Sequence, residues 1–185
     1  MAKEMLRQGG RSARIQEVVH RSVRDLLATT DRSEMTVPMI AEKSGVTPST
    51  IYRRWGDLSD LLADVALARM RPIADPDDTG AMASDLEAFV VDYAEEMSSS
   101  VGRQMISDVL NSSVEASAFQ CCQFTQQHLQ TLRDRAVARG EAAFDIDRVM
   151  DRVIAPIMYH ILFRDRDVAP DYCRRLVAEC LSDNG

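Results

Sequence analysis

An all-α fold of about nine helices is what this sequence predicts. Helical apolar spacing runs along nearly the whole chain, no strand signal interrupts it, and Thr, Pro and Gly stand where helices need starts and stops. The bulk numbers agree. The 185 residues fit one large domain or a small one beside a medium one, and 45% apolar content supplies a core. Aromatics are only 5% and methionines number 10, so that core is mainly aliphatic and methionine-rich. No apolar run approaches the ~18 residues of a membrane span. The N-terminal MAKEMLRQGGRSAR is basic with no apolar segment behind it, unlike a secretory signal, so a cytoplasmic protein without membrane association is expected.

The elements follow in order. Ile15, Val18, Val19, Val23, Leu26 and Leu27 share one face of a first helix. Thr36 reads as the N-cap of a short second helix, with Val37 and Pro38 in its first turn and Ile40 and Ala41 inward. Gly45 ends it in the left-handed conformation that a tight C-terminus needs. Thr47 caps a third helix with Pro48 at its first position, and Asp57 caps a fourth whose inward face is Leu58, Leu61, Leu62 and Val65. A break begins at Arg71–Pro72 and runs through PIADPDDTG. Leu86, Phe89, Val90, Tyr93 and Met97 define a fifth helix, and Val101, Met105, Val109 and Leu110 a shorter sixth. The seventh is expected from about Ser113 to Arg139, with Ala118, Cys121, Cys122, Thr125, Leu129, Leu132 and Ala136 as its stripe and Gly140 as its stop. The eighth runs through Ile146, Val149, Met150, Val153, Ile154, Ile157, Met158, Ile161 and Leu162, with a kink expected at Pro156. The ninth starts at Pro170 and carries Cys173, Leu176, Val177, Cys180 and Leu181.

Enzyme chemistry finds no foothold. Glycine-rich phosphate loop, nucleophile elbow and metal-ligand spacing are all missing, so no catalytic residue, metal or cofactor is expected. Cys122 and His128 are six apart on one helix, too far round it for a dyad. The four cysteines make no CxxC pair and no disulfide framework; they read as small buried hydrophobes, with a thiol sensor at Cys121–Cys122 as the other reading.

Charge is unevenly spread. Residues 1–56 hold ten Lys and Arg against six Asp and Glu, whereas 57–185 hold 12 against 23, within a net charge of −7. A basic head on an acidic body can meet a polyanion with the head alone. Thr36 to Trp55 supplies the means: two short helices joined by a glycine turn, the helix-turn-helix arrangement. In the second of them Ile51, Trp55 and Val46 point inward, leaving Pro48, Ser49, Thr50, Tyr52 and Arg53 outward with no acid or lysine among them. Small hydroxyl residues let a backbone approach the major-groove floor and can bond base edges, while Tyr and Arg reach phosphates. A solvated helical hairpin is the plain alternative.

The stretch TVPMIAEKSGVTPSTIYRRWGDLSDLL resembles the DNA-binding domain of the TetR family of bacterial repressors. The match lies in Thr36, Ile40–Ala41, Gly45–Val46, Thr47, Thr50–Tyr52, the aromatic Trp55 and Leu61–Leu62, within the first 65 or so residues. PIMYHILF, Pro156–Phe163, looks like the penultimate helix of one TetR C-terminal subgroup. The chain departs from the family pattern at Leu58, where a phosphate-binding lysine is usual, at Trp55–Gly56, and in TTDRSEM, which lacks a usual glycine. The resemblance implies an N-terminal three-helix DNA-binding domain at residues 1–57, including a basic arm, and a helical ligand-binding and dimerisation domain at 58–185. It implies phosphate contacts from Thr36, Thr47, Tyr52 and Arg54 and base readout by Pro48, Ser49, Thr50 and Arg53. Lys3, Arg7, Arg11 and Arg14 are either an arm on the DNA backbone or minor groove, or a free tail.

Partners follow from the same resemblance. Double-stranded DNA is read by two recognition helices roughly 34–36 Å apart on a near-palindromic site, so a homodimer through the last two helices is expected. A repressor released by a small apolar effector needs a pocket in the body, and Phe89, Tyr93, Met97, Met105, Phe124, His128, Met150, Met158 and Tyr159 are the candidates. Each of these also reads as plain core. The alternative to ligand release is control by a protein partner or by thiol oxidation.

Overall fold

The computed structural model describes residues 2–164 and 168–182, with side chains from residue 10 onward. Among the described residues there are nine helices and no strand, taking the unbroken helical run 146–163 as one. They are α1 (Ala2–Leu27), α2 (Val37–Ser44), α3 (Pro48–Trp55), α4 (Leu58–Met70), α5 (Met82–Ser98), α6 (Ser100–Leu110), α7 (Ala116–Ala138), α8 (the run 146–163) and α9 (Pro170–Ser182). A 3₁₀ turn, Arg32–Glu34, follows α1. The chain forms two compact units: residues up to Arg69 with Asp108–Glu115, and Met70–Ser107 with the residues from Ala116 on.

The first unit is built around α1 to α4. Val19, Val23, Met35, Val37, Ile40, Ala41, Ile51, Trp55, Leu61, Leu62 and Val65 form its core, with Ile15, Leu26, Val46 and Leu58 packed against it. The cluster contains most of the residues that helical spacing points inward, because burying one stripe of each helix is what holds short helices together. Residues 108–115 join this unit through two polar ties. Arg32 of the 3₁₀ turn pairs with Asp108. Asp60 accepts from the Ser112 hydroxyl and from the N–H and hydroxyl of Ser113, each at 2.8 Å. That tie accounts for a later α7 than expected: Ser112 and Ser113 are spent on Asp60, and the helix starts at Ala116.

The second unit packs α5, α7, α8 and α9 around Leu86, Val90, Leu129, Leu132, Val149, Val153, Ile157, Cys173 and Val177. Its α5 and α6 are joined by one residue, Ser99, whose hydroxyl accepts from Gly102 N–H at 2.9 Å. A Cβ on Gly102 would fall 2.1 Å from the Glu96 carbonyl, so this close turn requires glycine. The expected distortion at Pro156 takes the form of a wider turn. α8 runs as α-helix Ile146–Val149, π-helix Met150–Ile154 and α-helix Ala155–Phe163, and the Ala155 N–H bonds the Met150 carbonyl, five residues back. Proline has no N–H to give and its ring crowds the carbonyl four residues before it; the π turn absorbs both.

Several residues expected inward lie outside. Leu27, Leu110 and Leu162 are exposed, as is Val101. All four sit in a first or last turn of their helices. Periodicity marks a face and cannot mark where the covering surface stops. Ala118 is exposed too, with Ser117 buried in its place. All four cysteines are free thiols; Cys173 and Cys180 are buried, Cys121 and Cys122 half-buried.

Candidate nucleic-acid interface

The turn between α2 and α3 is fixed by local chemistry. Thr36 caps α2 by accepting from Met39 N–H at 3.4 Å. Gly45 takes φ +68°, and the Ser44 hydroxyl bonds both the Ala41 carbonyl and Val46 N–H at 3.3 Å. Thr47 occupies the N-cap position of α3, yet its side chain caps no backbone N–H. Its hydroxyl is shared with the hydroxyls of Thr50, at 2.9 Å, and Ser49, at 3.2 Å. The expected side-chain cap is therefore replaced by a hydroxyl cluster, leaving the positive end of α3 without a side-chain acceptor.

α3 has two unlike faces. Ile51 and Trp55 are buried. Pro48, Ser49, Tyr52 and Arg53 are exposed and Thr50 is half-buried, so the outward set stands on one surface, with Tyr52 48% exposed. Thr36 and Thr47 are exposed as well. Arg53 makes no hydrogen bond or ion pair among the described residues. Arg54 differs: it donates to the Ser12 carbonyl at 2.9 Å, the Ser12 hydroxyl at 2.7 Å and Gln16 Oε1 at 2.9 Å, and lies 5.0 Å from the Trp55 ring centre. Its guanidinium is committed to α1. Leu58 packs on the core, so the position that lacks a lysine serves burial. Arg11 and Arg14 are exposed on α1, while the side chains of Lys3 and Arg7 lie outside the described residues.

In the second unit the expected pocket residues divide. Phe89 lies 6.1 Å from Tyr93 and 5.4 Å from His128, ring centre to ring centre, between α5 and α7. Burial, then the neighbouring Cys121, pushes the Tyr93 phenol up, while Thr125 of α7 pulls it the other way. Burial pushes His128 down, against an opposing pull from Asp75 and Glu96. Met97, Met105 and Phe124 are buried, and Met150 and Met158 half-buried. Tyr159 does not join them: it is exposed, its ring centre 5.1 Å from that of Phe163 with the planes tilted by 39°, and Phe163 is 72% exposed. Helical spacing marks Thr125 as a stripe residue of α7, and Cys121 as a stripe residue or half of a thiol sensor, neither as a pocket residue. A separate open groove of about 490 Å³ is lined by Gln123, Gln126, Gln127, Gln130, Arg133 and residues 145–147. None of those was expected as a pocket residue; the uncharged, glutamine-rich run from Ala116 to Leu132 was the available signal.

His160 stacks on Tyr172 at 4.7 Å. Among the described residues no group of three or more His, Cys, Asp or Glu could hold a metal ion, and no helix is long and apolar enough to cross a membrane.

Residues 76–180 match the family described as "Tetracyclin repressor-like, C-terminal domain". The chain is 26% identical over 160 residues to the uncharacterized HTH-type transcriptional regulator YdeS of Bacillus subtilis (strain 168), covering 83% of this chain and 81% of that protein. Its fold is similar to that of a TetR transcriptional regulator from Rhodococcus sp. RHA1, with TM-score 0.62, 16% identity, and coverage of 97% and 100% of the two chains. It is also similar to that of the flavonoid-responsive regulator FrrA, with TM-score 0.57, 17% identity, and coverage of 92% and 95%.

Proposed function

The chain belongs to the TetR family of helix-turn-helix transcriptional regulators, and from that premise we propose that it is a repressor, released from a palindromic operator by a small apolar ligand. The family and the relatives are regulators rather than enzymes. The observation that carries the reading is the outward face of α3: small, hydroxyl-bearing and cationic, with no carboxylate to repel DNA and Arg53 without an ion pair among the described residues. Ser49, Thr50, Pro48 and Arg53 read base edges; Thr36, Thr47 and Tyr52 hold phosphates. Arg54 serves the phosphates indirectly, by fixing α3 to α1. Arg11 and Arg14 add charge along the backbone. Residues 1–57 carry DNA recognition and 58–185 carry dimerisation and effector binding.

A TetR-like regulator acts as a dimer, and α8 supports an interface through the last two helices. Its outer side exposes Tyr159, Leu162 and Phe163, apolar groups that a partner would cover. The effector reading is supported by Phe89, Tyr93, His128 and Thr125 meeting between α5 and α7: an apolar surface with three polar handles. The similarity to a protein named as flavonoid-responsive points the same way. Ligand control requires a coupling of about 1–3 kcal/mol between effector and DNA. Thiol oxidation is the weaker alternative, because burial pushes the Cys121 thiol up and so disfavours the reactive thiolate.

The test is a titration of the purified protein against its own upstream intergenic DNA at several salt concentrations. Selective binding whose logarithm falls linearly with log salt, by about 0.9 per phosphate contact, is the expected result. Weak binding equal for every duplex would overturn the assignment of α3 as reader.

A further inference from the structure

We propose that Asp64 of α4 is the positioning residue of the recognition helix, acting through the indole N–H of Trp55. This rests on the reading that α3 meets DNA. One carboxylate oxygen, Asp64 Oδ2, accepts from Trp55 Nε1 at 2.7 Å, from His20 Nε2 at 2.8 Å and from Gln16 Nε2 at 2.9 Å. The donors come from two other helices: Trp55 ends α3, and Gln16 and His20 lie on α1. Gln16 closes a second path, since its Oε1 accepts from Arg54 while its amide N–H donates to Asp64. Arg54, Gln16, Asp64 and Trp55 thus form a connected set of polar contacts joining α1, α3 and α4. Burial alone would push Asp64 up; its three donors outweigh that and hold it below the usual carboxylate range.

The need for such a device follows from the size of α3. It has eight residues, and only Ile51 and Trp55 are buried. Apolar contact is non-directional, so a two-turn helix resting on two side chains can roll with little loss of buried area. A hydrogen bond is directional and weakens steeply off-axis. The indole N–H aimed at Asp64 therefore fixes the roll angle that burial leaves loose. That angle sets where Ser49, Thr50, Tyr52 and Arg53 stand relative to a groove floor. Phenylalanine at 55 would keep an aromatic ring in the core but fill less of the space and carry no N–H, so the direction comes from the tryptophan.

The experiment is operator titration of the full chain and of Trp55→Phe, Asp64→Asn and the double variant, each corrected for the folded fraction by circular dichroism. Trp55→Phe keeps an aromatic ring at the site but loses the N–H, and among folded molecules it is expected to weaken operator binding roughly tenfold. The double variant should bind no more weakly than the weaker single one, because the Trp55–Asp64 contact is the one that both substitutions disturb. Trp55 is the chain's one tryptophan, so its emission should shift in Asp64→Asn. If the parent binds no duplex selectively, the reading of α3 falls and this inference with it. If the parent binds selectively while folded Trp55→Phe and Asp64→Asn bind as tightly, the network serves stability alone and only this inference is overturned.

Discussion

Each compact unit contains a carboxylate that ties several chain segments together, Asp64 in the first and Asp85 in the second. Their partners differ in kind. Asp64 keeps 34% of its side chain exposed and is met by an indole, an amide and an imidazole, all on helices. Asp85 has a fully buried side chain and pairs with Arg139 at 2.7 Å, while its other oxygen takes the Thr79 N–H and hydroxyl at 2.6 and 2.7 Å. Arg139 also pairs with Asp78 at 2.9 Å and with Glu141. Arg135 donates to the carbonyls of Asp77 and Pro76. The second arrangement latches the loop before α5 to the end of α7, using opposite charges whose attraction depends weakly on angle. The first spends weaker, directional bonds on the orientation of one helix. A latch is judged by stability and a positioning contact by function.

The largest expected effect follows from the latch. Asp85→Ala leaves the Thr79 N–H without its acceptor, the Thr79 hydroxyl with only Ser84, and Arg139 with only its outer partners. Because Arg139 remains 23% exposed, the cost falls short of that for a dry ion pair and is about 1–3 kcal/mol. Denaturant unfolding measures it. Operator affinity per folded molecule should stay at the parent value, in contrast to the Asp64 variants. Loss of affinity equal to theirs would break the distinction between the two carboxylates.

The next effect sharpens the functional side. Tyr52→Ala removes an exposed side chain, so stability should move by no more than about 0.5 kcal/mol. Operator binding should weaken by a similar factor on every sequence, since a phosphate contact carries no base information. Thr50→Ala should instead narrow the gap between operator and unrelated DNA, at about 1–3 kcal/mol for a lost base contact. Titrations against the operator and a scrambled duplex separate the two. If both variants bind like the parent, α3 is not the reader.

What the sequence made legible was local. Thr36, Gly45, Ile51 and Trp55 occupy the expected cap, turn and inward positions, because capping and helical period act within a few residues. The all-α fold followed from the same signals repeated along the chain. What stayed hidden was polar contact over distance. Arg54 looked like a phosphate ligand until its bonds to Ser12 and Gln16, 42 and 38 positions away, were visible. Asp64 sits on α4 with no motif to mark it, and the ties of Asp60 to Ser112 and Ser113 moved the start of α7. Such contacts leave no period in a sequence. Tyr159 shows a further gap: aromatic composition suggested a pocket, while its place on the outer side of α8 suits a partner surface.

The smallest expected effect concerns the histidines, which repeat the contrast between the units. His20 in the first is 2.8 Å from a carboxylate oxygen. His128 in the second lies with its ring tilted against that of Phe89, and burial pushes its pKa down. With its folded pKa below that of the unfolded chain, the unfolded state binds more protons in the window between the two values. Stability from His128 is therefore complete above about pH 6.5, the unfolded value, and declines as pH falls through that window toward the folded pKa. His160 is also pushed down by burial and contributes in the same direction, so part of the slope belongs to it. His128→Gln should flatten the dependence of unfolding free energy on pH below neutrality without abolishing it. An effector seated against Phe89 and Tyr93 would bury His128 further and steepen the slope in the parent alone. A parent and variant with identical pH profiles, with and without effector, would remove His128 from the pocket and leave Tyr93 and Thr125 as its polar handles.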